Sequence, residues 1–179
     1  MKKIWKGFSI LLACAMMFSM MTAFGATYDD VEENTKTYEA TEILAALGIM
    51  QGDEGGFRPN DTITRAEFAA VMIRSLNLDG AAKGMQGDTV YDDVSSNFWA
   101  SGYINLATNQ GIINGHGDGT FKPSDPVLYE EAVKMVVATL GYNPEALSIG
   151  GWPSGYLTIA AREGILNNIS SLGGRVGRS

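Results

Sequence analysis

The sequence repeats itself, and this repetition constrains the fold more than any other feature. YDDVEENTKTYEATEILAALGIMQG at residues 28–52 aligns without a gap on YDDVSSNFWASGYINLATNQGIING at residues 91–115. After one inserted residue, GGFRPND aligns on GTFKPSD, and ITRAEFAAVMIRSLNL on VLYEEAVKMVVATLGY. A partial third copy, WPSGYLTIAAREGILN at residues 152–167, matches WASGYINLATNQGIIN at residues 99–114. Repeated units of this kind bury their apolar faces against their neighbours.

Each full repeat contains two segments with apolar residues at helical spacing. The second segment of repeat one starts at Thr64, and Glu67 stands three residues further on, which is the signature of a capping box. In repeat two, Leu128 replaces Thr64, so that helix is predicted to start earlier, with Asp125 as its N-cap and Pro126 as its first residue. The predicted unit is a helix, a Gly-rich loop, a Pro-bearing connector and a second helix. This makes the fold mostly α.

The Gly-rich loop of repeat two, GHGDGTFKPSDP at residues 115–126, suits a metal ion, a phosphate or a simple turn. A calcium loop needs several alternating oxygen ligands and a closing Glu, but this loop offers only Asp118 and Asp125. The GK[ST] sequence of a phosphate-binding loop is absent. The loop is therefore predicted to turn the chain, with Phe121 returning to the core and His116 exposed. No metal and no cofactor are expected.

The first 25 residues have a different composition from the rest. Lys2, Lys3 and Lys6 precede the uncharged FSILLACAMMFSMM, and small residues follow in TAFGAT. This order predicts a secretory signal peptide, cleaved after Gly25 or Ala26, and no stable membrane span after cleavage. A membrane anchor and lipoprotein processing at LLAC are the alternatives. The formal net charge of −7 argues against nucleic acid and anionic lipid as partners.

The predicted boundaries follow the repeats and the composition. They are a signal peptide at 1–25, repeat one at 26–79, a linker at 80–90, repeat two at 91–142, a linker at 143–151 and a partial repeat three at 152–179. Both linkers are rich in Gly, and the first is expected to be flexible. Repeat three lacks a second helix, so we expect either an N-terminal fragment of a longer protein or a helix supplied by another chain.

The motifs YDDV, WA, GIINGHGDGTFKP and GFRPNDTITRAEFAAVM resemble the S-layer homology (SLH) domain family. The resemblance covers nearly all of the chain after the first 25 residues, in three copies with the third cut short. It implies a mostly helical, pseudo-three-fold spindle of helix–loop–helix repeats. It also implies noncovalent anchoring to a Gram-positive type of cell wall. The ligand implied is a secondary cell-wall polysaccharide, often carrying a pyruvate ketal, that binds in grooves between repeats.

The resemblance also implies which residues bind this polymer. The Arg of the TRAE motif, a principal ligand contact in the family, is Arg65, and a guanidinium suits the pyruvate carboxylate. Thr64 and Glu67 would fix the helix start that aims it. Tyr129 stands at this position in repeat two, where it can stack on a sugar but supplies no charge, and RVGR places Arg178 there in repeat three. The alternative is that Arg65 only pairs with Glu67 or an exposed acid.

Two further groups of residues leave alternatives open. Trp99 and Trp152 occupy matching positions at helix starts, where they either stack on sugar rings or belong to the core. The acidic residues of the two YDDV motifs are expected to cap or brace the entry turn in preference to binding ligand; they are Asp29, Asp30, Asp92 and Asp93.

Three functions follow from these patterns, in decreasing order of support. The first is a secreted, non-enzymatic module at the cell wall or S-layer that binds secondary cell-wall polysaccharide or a peptidoglycan-associated polymer. The second is structural self-association or a protein-interaction module of a surface layer. The third is an enzyme, for which the sequence offers no nucleophile–base pair. An anchor is expected to need the wall polymer, whereas an array is expected to self-associate without it.

Overall fold

The computed structural model describes residues 28–53, 56–167 and 174–178 of the 179-residue chain. The regular secondary structure of these residues is helical, which confirms the mostly α prediction. The helices are α1 (Lys36–Ala46), α2 (Arg65–Ser75), α3 (Asp79–Gly84), α4 (Ser101–Asn109), α5 (Tyr129–Thr139), α6 (Asn143–Ser148) and α7 (Ser154–Arg162). None of these helices is long and apolar enough to cross a membrane. The predicted signal peptide lies outside the described residues.

The second helices of repeats one and two start at equivalent positions. The hydroxyl of Thr64 accepts a hydrogen bond from the Glu67 N–H, and the Glu67 carboxylate accepts one from the Thr64 N–H at 2.8 Å, so the predicted capping box at α2 is confirmed. In repeat two, the Glu131 carboxylate accepts from the N–H of Leu128, the residue before α5. The predicted earlier start at Pro126 is wrong, because Pro126 is paired with Thr64 of repeat one in an isolated β-bridge.

Both predicted linkers contain a short, well-packed helix, so the expectation that the first linker is flexible is wrong for the part that forms this helix. Helices α3 and α6 bury Ala82 and Ala146 completely. The backbone of each of these alanines lies against a glycine of the next helix, Gly102 in α4 and Gly155 in α7, where a Cβ atom would collide with the alanine carbonyl. The glycines therefore allow a close helix approach at two equivalent places.

The buried residues form two clusters that share helix α5. The larger cluster joins α2, α3, α4 and α5 around fully buried side chains such as Ile73, Ile104 and Phe121. The smaller cluster packs α5 against α6 and α7, through Val137 and Ile159 among others. Helix α5 thus holds the third copy of the sequence motif against the first two.

Three short segments, one from each repeat, are hydrogen-bonded to one another in a closed ring. These connectors are residues 61–65, 125–129 and 174–178. The Val127 N–H donates to the Ile63 carbonyl at 3.0 Å, the Ile63 N–H donates to Val176 at 3.1 Å, and the Val176 N–H donates back to Val127 at 3.1 Å. A second set of bonds joins the flanking residues in the opposite direction around the ring: the N–H of Arg65 donates to Asp125, that of Tyr129 to Gly174, and that of Arg178 to Asp61. These bonds suit a pseudo-three-fold arrangement, which stays a prediction.

A carboxylate from each YDDV motif holds the Gly-rich loop of its own repeat. The Asp93 carboxylate accepts from the backbone N–H groups of Phe121 at 2.8 Å and Lys122 at 2.7 Å. Asp30 holds repeat one in the same way, and the N–H groups of Phe57 and then Arg58 lower its pKa. The bracing role expected of these two acids is confirmed, and both phenylalanines are buried as predicted for Phe121.

We predict that Asp93→Ala lowers the free energy of unfolding by about 1–3 kcal/mol, because two backbone N–H groups lose a charged acceptor. Urea denaturation followed by circular dichroism measures this. Asp92→Ala removes the same charge from the neighbouring residue, which has no side-chain hydrogen bond in the described structure, and is the matched control. Equal effects of the two changes would contradict the bracing role.

Candidate functional site

Two grooves are built from equivalent positions of the repeats. The Arg65 groove has a volume of about 420 Å³ and is lined by Arg65 of repeat one, by Asn114, Glu131 and Lys134 of repeat two, and by Trp152 and Tyr156 of repeat three. The Arg178 groove, of about 470 Å³, is lined by Arg178, by Gln51, Glu67 and Arg74 of repeat one, and by Trp99 of repeat two. Each groove thus combines an arginine, the helix-start glutamate of the following repeat and a tryptophan.

The Arg65 guanidinium is held on every side by the protein. Its Nε donates to the Phe121 carbonyl at 2.8 Å, Nη1 lies 2.7 Å from Glu131 Oε1, and Nη2 donates to the Asn114 carbonyl at 3.3 Å. The guanidinium carbon also lies 4.6 Å from the Phe121 ring centroid, a cation–π distance. The side chain is only 7% exposed. Arg65 therefore braces the groove wall, and its acidic partner is Glu131 and not Glu67.

Arg178 repeats the ion pair of Arg65 but not its other contacts, since Arg178 Nε is buried without a hydrogen-bond partner in the described structure. It is 8% exposed and forms an ion pair with Oε1 of Glu67, while Oε2 of the same carboxylate caps helix α2. Glu131 divides its two oxygens in the same way between Arg65 and the start of α5. The sequence analysis missed Glu131 as the partner of Arg65, although its alignment with Glu67 was visible.

Tyr129 takes no part in either groove. Its ring is buried in the smaller core cluster beside Val133 and Tyr156. Its hydroxyl has no hydrogen-bond partner in the described structure, and burial, followed by the charge of Glu130, raises its pKa. The predicted groove residues that the structure brings together are thus the arginines, the tryptophans and the Thr64–Glu67 cap, without Tyr129.

Both tryptophans are exposed at the edges of the grooves. Trp152 is 53% exposed and Trp99 is 50% exposed, so the alternative that they belong to the core is wrong. The Trp99 ring also contacts Phe98 and Tyr103, with centroid distances of 5.8 and 6.1 Å. A large exposed aromatic face beside a cavity offers a surface on which a sugar ring can stack.

Lys134 is a groove residue that the sequence analysis did not identify. Its Nζ donates to Asn114 Oδ1 at 2.8 Å and to the Ile112 carbonyl at 3.3 Å, both neutral acceptors. Burial, followed by the positive charge of Arg65, lowers its pKa to about 8. The sequence could have indicated Lys134 through a difference between the repeats, because Ala70 stands at the equivalent position in repeat one.

His116, exposed as predicted, also lines the groove.

The other two cations of the Arg178 groove are Arg58 and Arg74, and each is paired with an acid of the protein. Arg58 Nη2 lies 2.7 Å from Asp53 Oδ2. Arg74 is paired with Asp79. Its Nε lies 3.4 Å from Asp79 Oδ1, and its guanidinium carbon lies 5.0 Å from the Tyr103 ring centroid. Asp79 also accepts hydrogen bonds from Lys83 and Tyr103, which together with Arg74 lower its pKa to about 2. The two grooves therefore share a frame but differ in the partners of their cations, because Lys134 has only neutral acceptors. No group of three or more His, Cys, Asp or Glu residues suited to a metal ion occurs among the residues described.

Comparison with known proteins identifies the two full repeats. The family model of the S-layer homology domain matches residues 27–69 and 90–133. The chain is 36% identical over 142 residues to the middle cell wall protein of Brevibacillus brevis and 39% identical over 129 residues to the surface layer protein of Brevibacillus choshinensis. It is also 37% identical over 108 residues to endo-1,4-beta-xylanase A of Thermoanaerobacterium saccharolyticum.

These matches cover much of the chain and little of each relative. They include 79%, 72% and 60% of the chain, in the same order, but only 13%, 11% and 9% of the three relatives. What is shared is therefore the repeat region, and it occurs both in wall or surface layer proteins and in a protein named as a xylanase.

We predict that Arg65→Ala lowers the free energy of unfolding by about 3–5 kcal/mol, because it leaves the Glu131 carboxylate without its charged partner. Chemical denaturation of the full chain tests this. Lys122→Ala, at an exposed position without an ion pair, is the control and is expected to leave the midpoint unchanged. A small loss for Arg65→Ala would show that the guanidinium is not a brace.

The lowered pKa of Lys134 predicts how stability depends on pH. Between about pH 8 and 10.5 the unfolded lysine binds a proton that the folded lysine has lost, so the stability contributed by this position rises with pH. The stability of the wild type minus that of Lys134→Met is therefore expected to increase from pH 7 to pH 10 in urea titrations. A flat difference at Lys134 would exclude the lowered pKa.

Proposed function

The chain belongs to the S-layer homology family, and from this premise we propose that its two grooves bind a pyruvylated secondary cell-wall polysaccharide. Membership places the chain at the cell wall or cell surface, in an anchoring role. The SLH domain itself is a non-catalytic module that binds cell-wall polymers. The proposal adds the chemical class of polymer and the residues that contact it.

The observation that carries this proposal is the pairing of an exposed tryptophan with a buried arginine in the groove wall at two equivalent places. Trp152 and Trp99 each lie beside a cavity whose wall contains a buried arginine. An aromatic face suits the apolar face of a sugar ring, and the N–H groups of a guanidinium suit a carboxylate. The chain as a whole is acidic, with a net charge of −7, so an arginine in the wall of each groove is a distinct local feature.

The roles of the groove residues follow from their exposure. Trp152 and Trp99 are proposed to contact the sugar directly. Arg65 and Arg178 are proposed to present the remaining N–H groups of the guanidinium to the ligand while their other donors hold the groove wall. Thr64 and Glu67 position the start of α2 and do not need to touch the polymer.

The domain boundaries stay part of the proposal. We propose a signal peptide at 1–25, full SLH repeats at 26–79 and 91–142, and a third, partial repeat at 152–179. The segments between them, 80–90 and 143–151, contain most of α3 and α6, so each belongs to the packed structure of its neighbours.

The test is co-sedimentation of the chain with purified wall sacculi. Intact sacculi are compared with sacculi stripped of secondary polysaccharide, using wild type, Trp152→Ala, Trp99→Ala and the double variant. We expect binding to intact walls only, a loss of about tenfold in affinity for each single variant, and a larger loss for the double variant, because a stacking surface disappears each time.

Leu140→Ala is the matched control, since Leu140 is 55% exposed and lines neither groove. Its affinity is expected to equal that of the wild type. Equal binding to stripped walls would overturn the polysaccharide proposal. Self-association without any wall material, insensitive to both tryptophan changes, would instead support a structural role in a surface layer.

A further inference from the structure

Lys134 is the feature of the Arg65 groove that the proposed function does not use. Two of the three N–H donors of its ammonium group are engaged, by Asn114 Oδ1 and the Ile112 carbonyl. No carboxylate lies within 4 Å of its Nζ among the residues described, whereas Arg65 in the same groove is paired with Glu131 at 2.7 Å. The positive charge of Lys134 is therefore the one in this groove that no acidic side chain neutralises.

We propose that Lys134 is the residue by which the Arg65 groove selects an acidic sugar polymer over a neutral one. This inference rests on the proposed function, because it assigns a role within the same site. The third donor of the ammonium is available to a ligand carboxylate, and Asn114 fixes the position of the group at the groove wall.

The Arg178 groove provides an internal comparison. Ala70 stands at the position equivalent to Lys134. The other cations there are paired with acids, Arg74 with Asp79 and Arg58 with Asp53. The two grooves have the same Arg–Glu pair and the same tryptophan position, but the unneutralised ammonium occurs in the Arg65 groove. Selection by charge is therefore assigned to that groove.

The partly buried position explains why this ammonium would respond to a carboxylate. Burial and the nearby charge of Arg65 lower the pKa of Lys134 to about 8, so a bound anion would restore an interaction that the protein itself does not supply. Affinity for an acidic polymer is therefore expected to fall as pH rises through and above 8, because the ammonium loses its proton.

The test uses isothermal titration calorimetry with two forms of one polymer. The first is the soluble, pyruvylated wall polysaccharide, and the second is the same polymer after its carboxylates are converted to methyl amides. The second form keeps the sugars and the ketal rings but lacks the charge. Full-length wild type, Lys134→Met, Lys134→Arg and Lys122→Met are compared at pH 7.

We expect the wild type to prefer the acidic form, and Lys134→Met to lose roughly tenfold to hundredfold in affinity for it, as for the loss of a charged hydrogen bond. Lys134→Met should bind the methyl amide form as the wild type does. Lys134→Arg should recover most of the affinity. Lys122→Met, which removes the same charge from an exposed position outside both grooves, should match the wild type.

A pH series from 7 to 10 distinguishes an effect of the Lys134 charge on affinity from an effect of its packing. The wild-type affinity for the acidic polymer should decline above pH 8, and that of Lys134→Arg should not, since arginine stays protonated. The other ionisable groups lining the groove are Arg65, Glu131, His116 and Tyr156. They are the same in both proteins, so their contributions cancel in the comparison.

The outcomes distinguish this inference from the proposed function. If the wild type binds the acidic polymer and Lys134→Met binds it equally well, the role of Lys134 is excluded and the proposed function stands. Equal binding of the wild type to both polymer forms would exclude selection by charge. If the wild type binds neither form, the proposed function fails and this inference fails with it.

Discussion

The closed ring of hydrogen bonds between the three connectors is the constraint on which both grooves depend. Each connector donates to the carbonyl of one neighbour and accepts from the other, through Ile63, Val127 and Val176. Backbone N–H and carbonyl groups that are removed from water need hydrogen-bond partners. The N–H and carbonyl groups of these three residues find their partners in the connectors of the other repeats. Arg65 and Arg178 each stand two residues after a residue of the ring. The ring therefore fixes the positions of both arginines.

The helix-start glutamates link this backbone ring to the groove walls. Glu131 uses one oxygen to cap α5 and the other to hold Arg65 of the preceding repeat, and Glu67 does the same for α2 and Arg178. A carboxylate near a helix N-terminus is also favoured by the helix dipole. Removing either glutamate would therefore disturb a helix start and a groove wall together, so the two functions of this residue are not separable by mutation.

The repeat alignment correctly predicted features that recur in each repeat. It failed where a feature depends on a contact between residues of different repeats. It predicted the α2 capping box, the exposure of His116 and the bracing acids Asp30 and Asp93, because these are local or repeated patterns. It placed the start of α5 too early, because inter-repeat pairing at Pro126 outweighs the local preference of proline for a first helical turn. The first linker was expected to be flexible because glycine-rich segments favour loops, whereas Gly102 allows Ala82 of this segment to pack closely against α4.

Among the groove residues too, some occur at equivalent positions of several repeats and one occurs in a single repeat. Arg65, Trp99 and Trp152 stand in matching motifs and are visible in an alignment, whereas Lys134 is visible only as a departure from Ala70. Its charge is not part of the ring, the caps or the core, so the frame tolerates either residue. A repeat protein can therefore keep one frame and alter the charge of a single groove by substitution at such a position. For this reason the difference between the Arg65 and Arg178 grooves informs ligand choice more than their likeness does.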